Sequence, residues 1–170
     1  IETGFNSVII YSKKFGKEKS LIDVLGEINS TYVIGNKINE EAVRWVDNLD
    51  VSYKNLTSLK GIECFKALRH LNCSHNKLKL LPALPEHLME LDCSWNLLKS
   101  ITDLPPILYE LRCNNNQLTK ISELGVRCWY LDCRNNNLNS LPTFTDTIAQ
   151  IYCSNNKLKK LPPLTNYLCK

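Results

Sequence analysis

The sequence predicts a solenoid, a coil of short parallel strands stacked turn upon turn, and three observations predict it. An apolar position recurs every 20 residues, at Leu71, Leu91, Leu111, Leu131 and Ile151. Cysteine follows at 73, 93, 113, 133 and 153, asparagine at 76, 96, 116, 136 and 156, and leucine at 78, 98, 118, 138 and 158. Proline then falls between the copies, at Pro82, Pro85, Pro105, Pro106, Pro142, Pro162 and Pro163. Columns held in register over five turns mark a repeat whose units bury their apolar side only by stacking. The fold class is therefore a leucine-rich-repeat solenoid, formally α/β. Its convex side should be poor in helix, and a helical cap should sit at its N-terminal end.

Residues 1–48 do not repeat and 49–170 do. The first turn of a repeat stack exposes apolar surface, so it needs a cover. The segment Ser20–Ile28 puts Leu21, Leu25 and Ile28 on one helical face. A second amphipathic segment starts at Asn39, a suitable N-cap, and runs through Glu40, Glu41, Ala42, Val43, Trp45 and Val46. The apolar run Ser7–Tyr11 fits either a strand or a remnant of a longer N-terminal region. Val46, Leu49, Val51, Leu56, Leu59 and Ile62 then form a degenerate first turn, 22 residues ahead of the next at Leu49 to Leu71, with Lys54 in the asparagine column. Strands are expected near 70–74 and every 20 residues after. That makes six strand-bearing turns and, at Leu168, the start of a seventh.

Two further columns close each turn: Leu81, Ile101, Ile121, Leu141 and Leu161, then Leu84, Leu104, Leu124, Phe144 and Leu164. A 20-residue unit leaves no room for a return helix, and its prolines forbid one. The return should be extended or polyproline-like. The asparagines have a physical task. Where the chain leaves the strand, backbone groups point inward and each needs a partner. An amide side chain both donates and accepts, so stacked asparagines can bond to their own turn and the next.

One domain suffices for 170 residues. The net charge of +4 is too small to argue for nucleic acid. No run of about 18 apolar residues is present to span a membrane. Eight cysteines raise the question of disulfides. Strand alternation, however, turns the cysteine column inward beside the leucines. There cysteine behaves as a small hydrophobe, and an odd column would leave one thiol over. No CxxC spacing suggests a metal. Neither metal nor cofactor is expected. So many free thiols favour a reducing compartment, such as the cytoplasm. The chain opens on Ile1 and shows no closing cap, which points to a piece of a longer protein.

The unit LPALPEHLMELDCSWNLLKSI, from Leu81 to Ile101, resembles the repeat of the bacterial leucine-rich effectors of the YopM and IpaH type. Their pattern is LPxLPxxLxxLxxxxNxL. The resemblance covers about residues 39–170. It departs at the strand cysteines and at Thr102, Ser122 and Gly125, which interrupt the LPxLP element. The resemblance implies a helical-hairpin cap, repeats that bind a partner and work in a host cell after delivery there. In some members a separate C-terminal domain is a ubiquitin ligase, and the repeats then select substrate for a larger enzyme.

Positions that alternate with the inward leucine and cysteine face out. Glu90, Glu110, Tyr130, Asp92, Arg112, Asp132 and Arg134 occupy them, with Trp95 at the strand end and Tyr109 and Trp129 at the strand start. Arg112 lies between Asp92 and Asp132, a mixed-sign cluster that serves either as a solvated face or as a docking surface. Trp, Tyr and Arg are the residues of binding hot spots. These ten residues are the candidate partner-binding set. A lysine stripe (Lys77, Lys79, Lys99, Lys120, Lys157, Lys159 and Lys160) reads first as solubilising charge. Catalytic readings fail: alternation separates Cys73 from His70, and Glu90 with Glu110 have no cleft around them. The expected role is protein–protein interaction on the concave face, as the recognition domain of an effector-like virulence protein. The alternatives are the substrate-recognition part of an enzyme and a surface-adhesion repeat. Nucleic acid is disfavoured, and oligomeric state is left open.

Overall fold

A computed structural model describes residues 7–8, 17–143 and 145–161. The expectations for Phe144, Pro162, Pro163, Leu164 and the seventh turn at Leu168 lie outside the described residues. The repeats supply six parallel strands: β4 (Asn48–Asp50), β5 (His70–Asn72), β6 (Glu90–Asp92), β8 (Glu110–Arg112), β10 (Tyr130–Asp132) and β11 (Gln150–Tyr152). They hydrogen-bond in that order, in the register the columns dictate, so that Leu49, Leu71, Leu91, Leu111, Leu131 and Ile151 are successive partners. An N-terminal strand, β1 (Ser7–Val8), adds in parallel to β4 and makes seven. The described part of the Ser7–Tyr11 run is thus a strand.

The cap follows from local sequence. Helix α1 (Leu21–Ile28) starts in a reciprocal capping box, in which Ser20 Oγ accepts from Asp23 N–H and the Asp23 carboxylate accepts from Ser20 N–H at 2.9 Å. Its Leu21, Val24 and Leu25 are buried. After a 3₁₀ turn, Ser30–Tyr32, comes a hairpin of β2 (Val33–Ile34) and β3 (Lys37–Ile38). Helix α2 (Glu40–Val43) is a single turn, shorter than the pattern suggests. Asn39 precedes it but spends its amide on the Thr31 carbonyl, 2.9 Å away, and makes no side-chain cap. Val43 and Val46 point into the core, whereas Trp45 turns out and stays 70% exposed. The helical period fails beyond Val43, which sends the tryptophan to the surface.

One core runs unbroken from Leu21 in the cap to Ile148 in the last turns. Cys73, Cys93, Cys113 and Cys133 are fully buried in it beside the leucines, and Cys128 joins them. The described cysteines are all free thiols. Burial pushes their pKa values up, to about 11 for Cys128 and about 12 for Cys133. The return path is extended, as the prolines require. It also forms a small second parallel sheet, β7 (Ser100–Ile101) with β9 (Lys120–Ile121), and one 3₁₀ turn at Ile62–Cys64. The turn-closing column is buried at Ile101, Ile121 and Leu141 but open at Leu161, which is 56% exposed in the last described turn.

The asparagine column is a continuous ladder. Asn96 Nδ2 donates to the carbonyls of Cys73, Cys93 and Ser94 at 3.0–3.2 Å, and its Oδ1 accepts from Leu78 N–H at 2.9 Å. Asn116, Asn136 and Asn156 repeat the pattern one turn on each. Every amide ties its own turn to the one before. Asn76 opens the ladder by accepting from both Lys54 N–H and Leu56 N–H. The first turn therefore needs no asparagine of its own to hold the next.

Candidate functional site

The open face of the sheet carries side chains from residues 48/50, 70/72 and onward every 20, because strand alternation leaves these outside the core. Seven of the ten candidates occupy this face: Glu90 and Asp92 on β6, Glu110 and Arg112 on β8, Tyr130 and Asp132 on β10, and Arg134 just beyond. Tyr109 and Trp129 stand at the strand starts and Trp95 at a strand end, so the set divides among the face and its two rims.

The arginines on this face pair along their own strands rather than across them. The Arg112 guanidinium binds Glu110, two residues back, and Arg134 grips Asp132 through Nε and Nη2 at 2.9 and 2.7 Å. The two carboxylates are nearly covered, Glu110 at 8% and Asp132 at 3% exposure. Each spends its charge on an arginine of its own strand and fixes that arginine's position on the face. Burial raises the Glu110 pKa against the pull of Arg112. For Arg112 the burial penalty is outweighed by Glu110, and its pKa rises. Asp92 is likewise occupied internally, accepting from Ser94 N–H and Ser94 Oγ at 2.9 and 2.6 Å. So Arg112 does not bridge Asp92 and Asp132, although the register places it between them.

Held in this way, the arginines lie on aromatic rings of the next strand. Arg112 sits 5.1 Å from the centroid of Tyr130, and Arg134 sits 5.2 Å from that of Tyr152. Tyr130 contacts Trp129 edge-on at 5.8 Å and Tyr152 at 5.6 Å. The result is a layer of arginine and aromatic side chains across β8, β10 and β11. Toward the cap the chemistry changes. Glu90 accepts from Tyr109 Oη and lies 3.0 Å from His70 Nδ1 on the neighbouring strand. Burial works against the Glu90 charge, but these two hydrogen bonds win and hold its pKa below the usual range. The same bond to Glu90 pushes the Tyr109 phenol up to about 12.

At the strand-end rim, the corner residue of every turn adopts left-handed backbone: Tyr53, His75, Trp95, Asn115, Asn135 and Asn155, with φ from 54° to 57°. The chain turns off the strand here, and each N–H from Tyr53 to Asn135 still donates to a carbonyl of the next turn. The column splits in two. Asn155 donates to Asn135 at 2.7 Å and Asn135 to Asn115 at 3.0 Å, an amide ladder. Tyr53, His75 and Trp95 instead form a stack, with centroids 4.1 and 5.2 Å apart and planes within 11°. Tyr53 is 47% and Trp95 52% exposed. Burial lowers the His75 pKa, which favours the neutral form of the middle ring.

The ten-residue set omitted His70, Tyr53, His75 and Tyr152. All four lie in its own columns, which was signal enough to include them. Their ring contacts depend on the distance between turns, which the columns do not give. Among the described residues, no group of three or more His, Cys, Asp or Glu side chains is placed to hold a metal ion, and no helix is long and apolar enough to cross a membrane.

By sequence, the chain matches no protein-family model and no curated protein. By structure, it is similar to a Shigella effector leucine-rich-repeat domain, with TM-score 0.68 and 26% identity over 82% of this chain and 69% of that one. It is also similar to YopM from Yersinia enterocolitica, with TM-score 0.67 and 31% identity over 74% of this chain and 28% of that one. A Yersinia pestis YopM structure gives TM-score 0.58 at 31% identity, over 74% of this chain and 42% of that one. This chain therefore spans less than half of either YopM. These structures are bacterial leucine-rich-repeat effectors, and the solenoid described above has their fold.

Proposed function

We propose that this chain is a protein–protein interaction module, the recognition part of a bacterial effector-like protein, and that it holds its partner on the open sheet face and the aromatic rim beside it. Backbone strain at the rim carries the reading. Left-handed backbone costs an ordinary L-residue about 1–2 kcal/mol, whereas asparagine visits it routinely. Three turns of this chain use asparagine at that corner, and three consecutive turns use Tyr53, His75 and Trp95. Ring stacking returns roughly 0.5–1.5 kcal/mol per pair, which offsets the strain without explaining why the rings stay half exposed. Strained residues gather where function needs them. The arginine–aromatic layer on the same face has hot-spot composition. Glu90, Asp92, Trp95, Tyr109, Arg112, Trp129, Tyr130 and Arg134 would meet the partner, with Glu110 and Asp132 holding the arginines in place.

The structural neighbours are effector domains, which supports an effector role and delivery into a host cell. Reduced, buried cysteines suit the reducing cytoplasm found there. The test is a binding titration on a partner captured from host lysate and then purified. Trp95→Asn should retain the melting temperature, because it exchanges a strained stack for one more rung of the amide ladder. It should weaken binding at least roughly tenfold, as hot-spot loss does. Trp129→Ala should do the same. Wild-type affinity in both variants would overturn the proposal.

A further inference from the structure

At the other rim, beside the strand starts, lies a groove of about 700 Å³ between the cap and the first three repeat strands. That volume is in the range of clefts that seat ligand groups. Part of its lining is apolar: Trp45, Ala67, Met89 and Ile107. The rest is polar: the basic side chains of Arg44, Lys66 and Arg69, a single carboxylate, Asp47, and His87. Arg44 lies 5.0 Å over the Trp45 ring and binds Glu41 outside the groove at 2.8 Å. Trp45 is the most exposed large hydrophobic residue described.

We propose that this groove is a second docking site, separate from the open face, for an acidic peptide segment of a protein partner that carries apolar side chains between its carboxylates. The charge balance selects an anionic occupant, and arginines favour carboxylates through paired hydrogen bonds. The apolar part of the lining selects against a continuous polyanion. A phosphate backbone would satisfy the cations but leave Trp45, Met89 and Ile107 in water, and it would crowd Asp47. An acidic-hydrophobic peptide satisfies both parts of the lining: its carboxylates face Arg69 and Lys66, and an aliphatic or aromatic side chain lies on Trp45. Such a site adds avidity to whatever the open face holds, since a tethered second contact acts at high effective concentration.

The experiment uses the whole chain and a short fluorescein-labelled peptide alternating glutamate with leucine, read by anisotropy. Two control peptides replace glutamate by glutamine or leucine by serine, and a single-stranded oligothymidine stands for nucleic acid. The expected result is binding of the glutamate–leucine peptide alone, weakened by added salt. Trp45→Ala and the pair Lys66→Glu with Arg69→Glu should each reduce it at least roughly tenfold. Trp95→Asn, at the opposite rim, should leave it unchanged, which separates this site from the open-face proposal. All three groove side chains are exposed, so these variants should fold, with circular dichroism as the check. Equal binding of the glutamine peptide, tighter binding of oligothymidine, or indifference to the charge reversals would each overturn the proposal.

Discussion

Replacing Asn96 by alanine tests the ladder at a well-buried rung. The side chain is 6% exposed and makes four hydrogen bonds. Their loss is unequal. The Cys73 carbonyl keeps a bond from Asn76, the Cys93 carbonyl keeps one from Asn116, and the Ser94 carbonyl keeps one from His75 N–H. Leu78 N–H has Asn96 Oδ1 as its acceptor and is buried. One orphaned buried donor costs about 1–3 kcal/mol, and thinning three shared carbonyls adds a fraction of that, for about 2–4 kcal/mol in all. At about 2–4 °C per kcal/mol for a chain of this size, the melting temperature should fall by roughly 5–15 °C. Asn156→Ala removes the equivalent rung where the amide is only half-buried and water can replace it, so its fall should be less than half as large. Thermal unfolding followed by circular dichroism measures both. An Asn96→Ala melt within about 2 °C of wild type, or a larger loss at Asn156, would refute the unsatisfied-donor reasoning. Asn96→Asp sharpens the test. It keeps the acceptor but turns a carboxylate toward three carbonyls, so at neutral pH it should cost more than alanine.

Burial holds the Cys133 thiol near pKa 12, with Cys73, Cys93 and Cys113 also raised by burial. An unfolded thiol ionises near pH 8.5. Between those values the folded state holds more protons than the unfolded one, so stability falls as pH rises, by about 2 kcal/mol for Cys133 alone at pH 10. Melting under reductant should drop steeply above about pH 8.5, and a flat profile to pH 10 would contradict the burial of the column. In native protein, thiol reagents should label half-buried Cys64 and Cys153 before the buried five, and uniform rates would count against the fold. Arg112→Leu leaves buried Glu110, whose pKa is already raised, without its cation. The folded pKa then rises further, so the variant should be most destabilised at neutral pH and recover toward about pH 5; a pH-independent deficit would point to lost packing instead. Gly125→Ala would set a Cβ 2.4 Å from the Pro106 carbonyl oxygen, and should cost about 1–3 kcal/mol in urea unfolding; a neutral result would show that this return segment yields.

Gly125 also shows what can be read from a repeat and what cannot. In the sequence it merely interrupts the LPxLP element. In the fold it is the residue whose missing side chain lets one return segment pass against the one before. The columns were legible because stacking forces equivalent residues into equivalent environments. Leucine, cysteine and asparagine thus announced strand register, buried thiols and the ladder before any coordinate. The cap was legible in α1, where the helical period and Ser20 agree. It was misread at Trp45, where one turn of α2 is too short for periodicity to fix a face.

Which residues point out of the sheet was determined by the sequence alone, since alternation on a strand leaves no choice. What those residues do to one another was decided by tertiary structure. Glu110 and Asp132 read as exposed charges, yet each is covered by an arginine two residues on and spends its charge inside the face. Tyr53, His75 and Trp95 stand a full repeat or more apart in sequence and become one stack, because parallel strands bring equivalent corners within about 5 Å. Sequence period sets the addresses of side chains. The short distance between turns sets which neighbours compete for each charge and each ring.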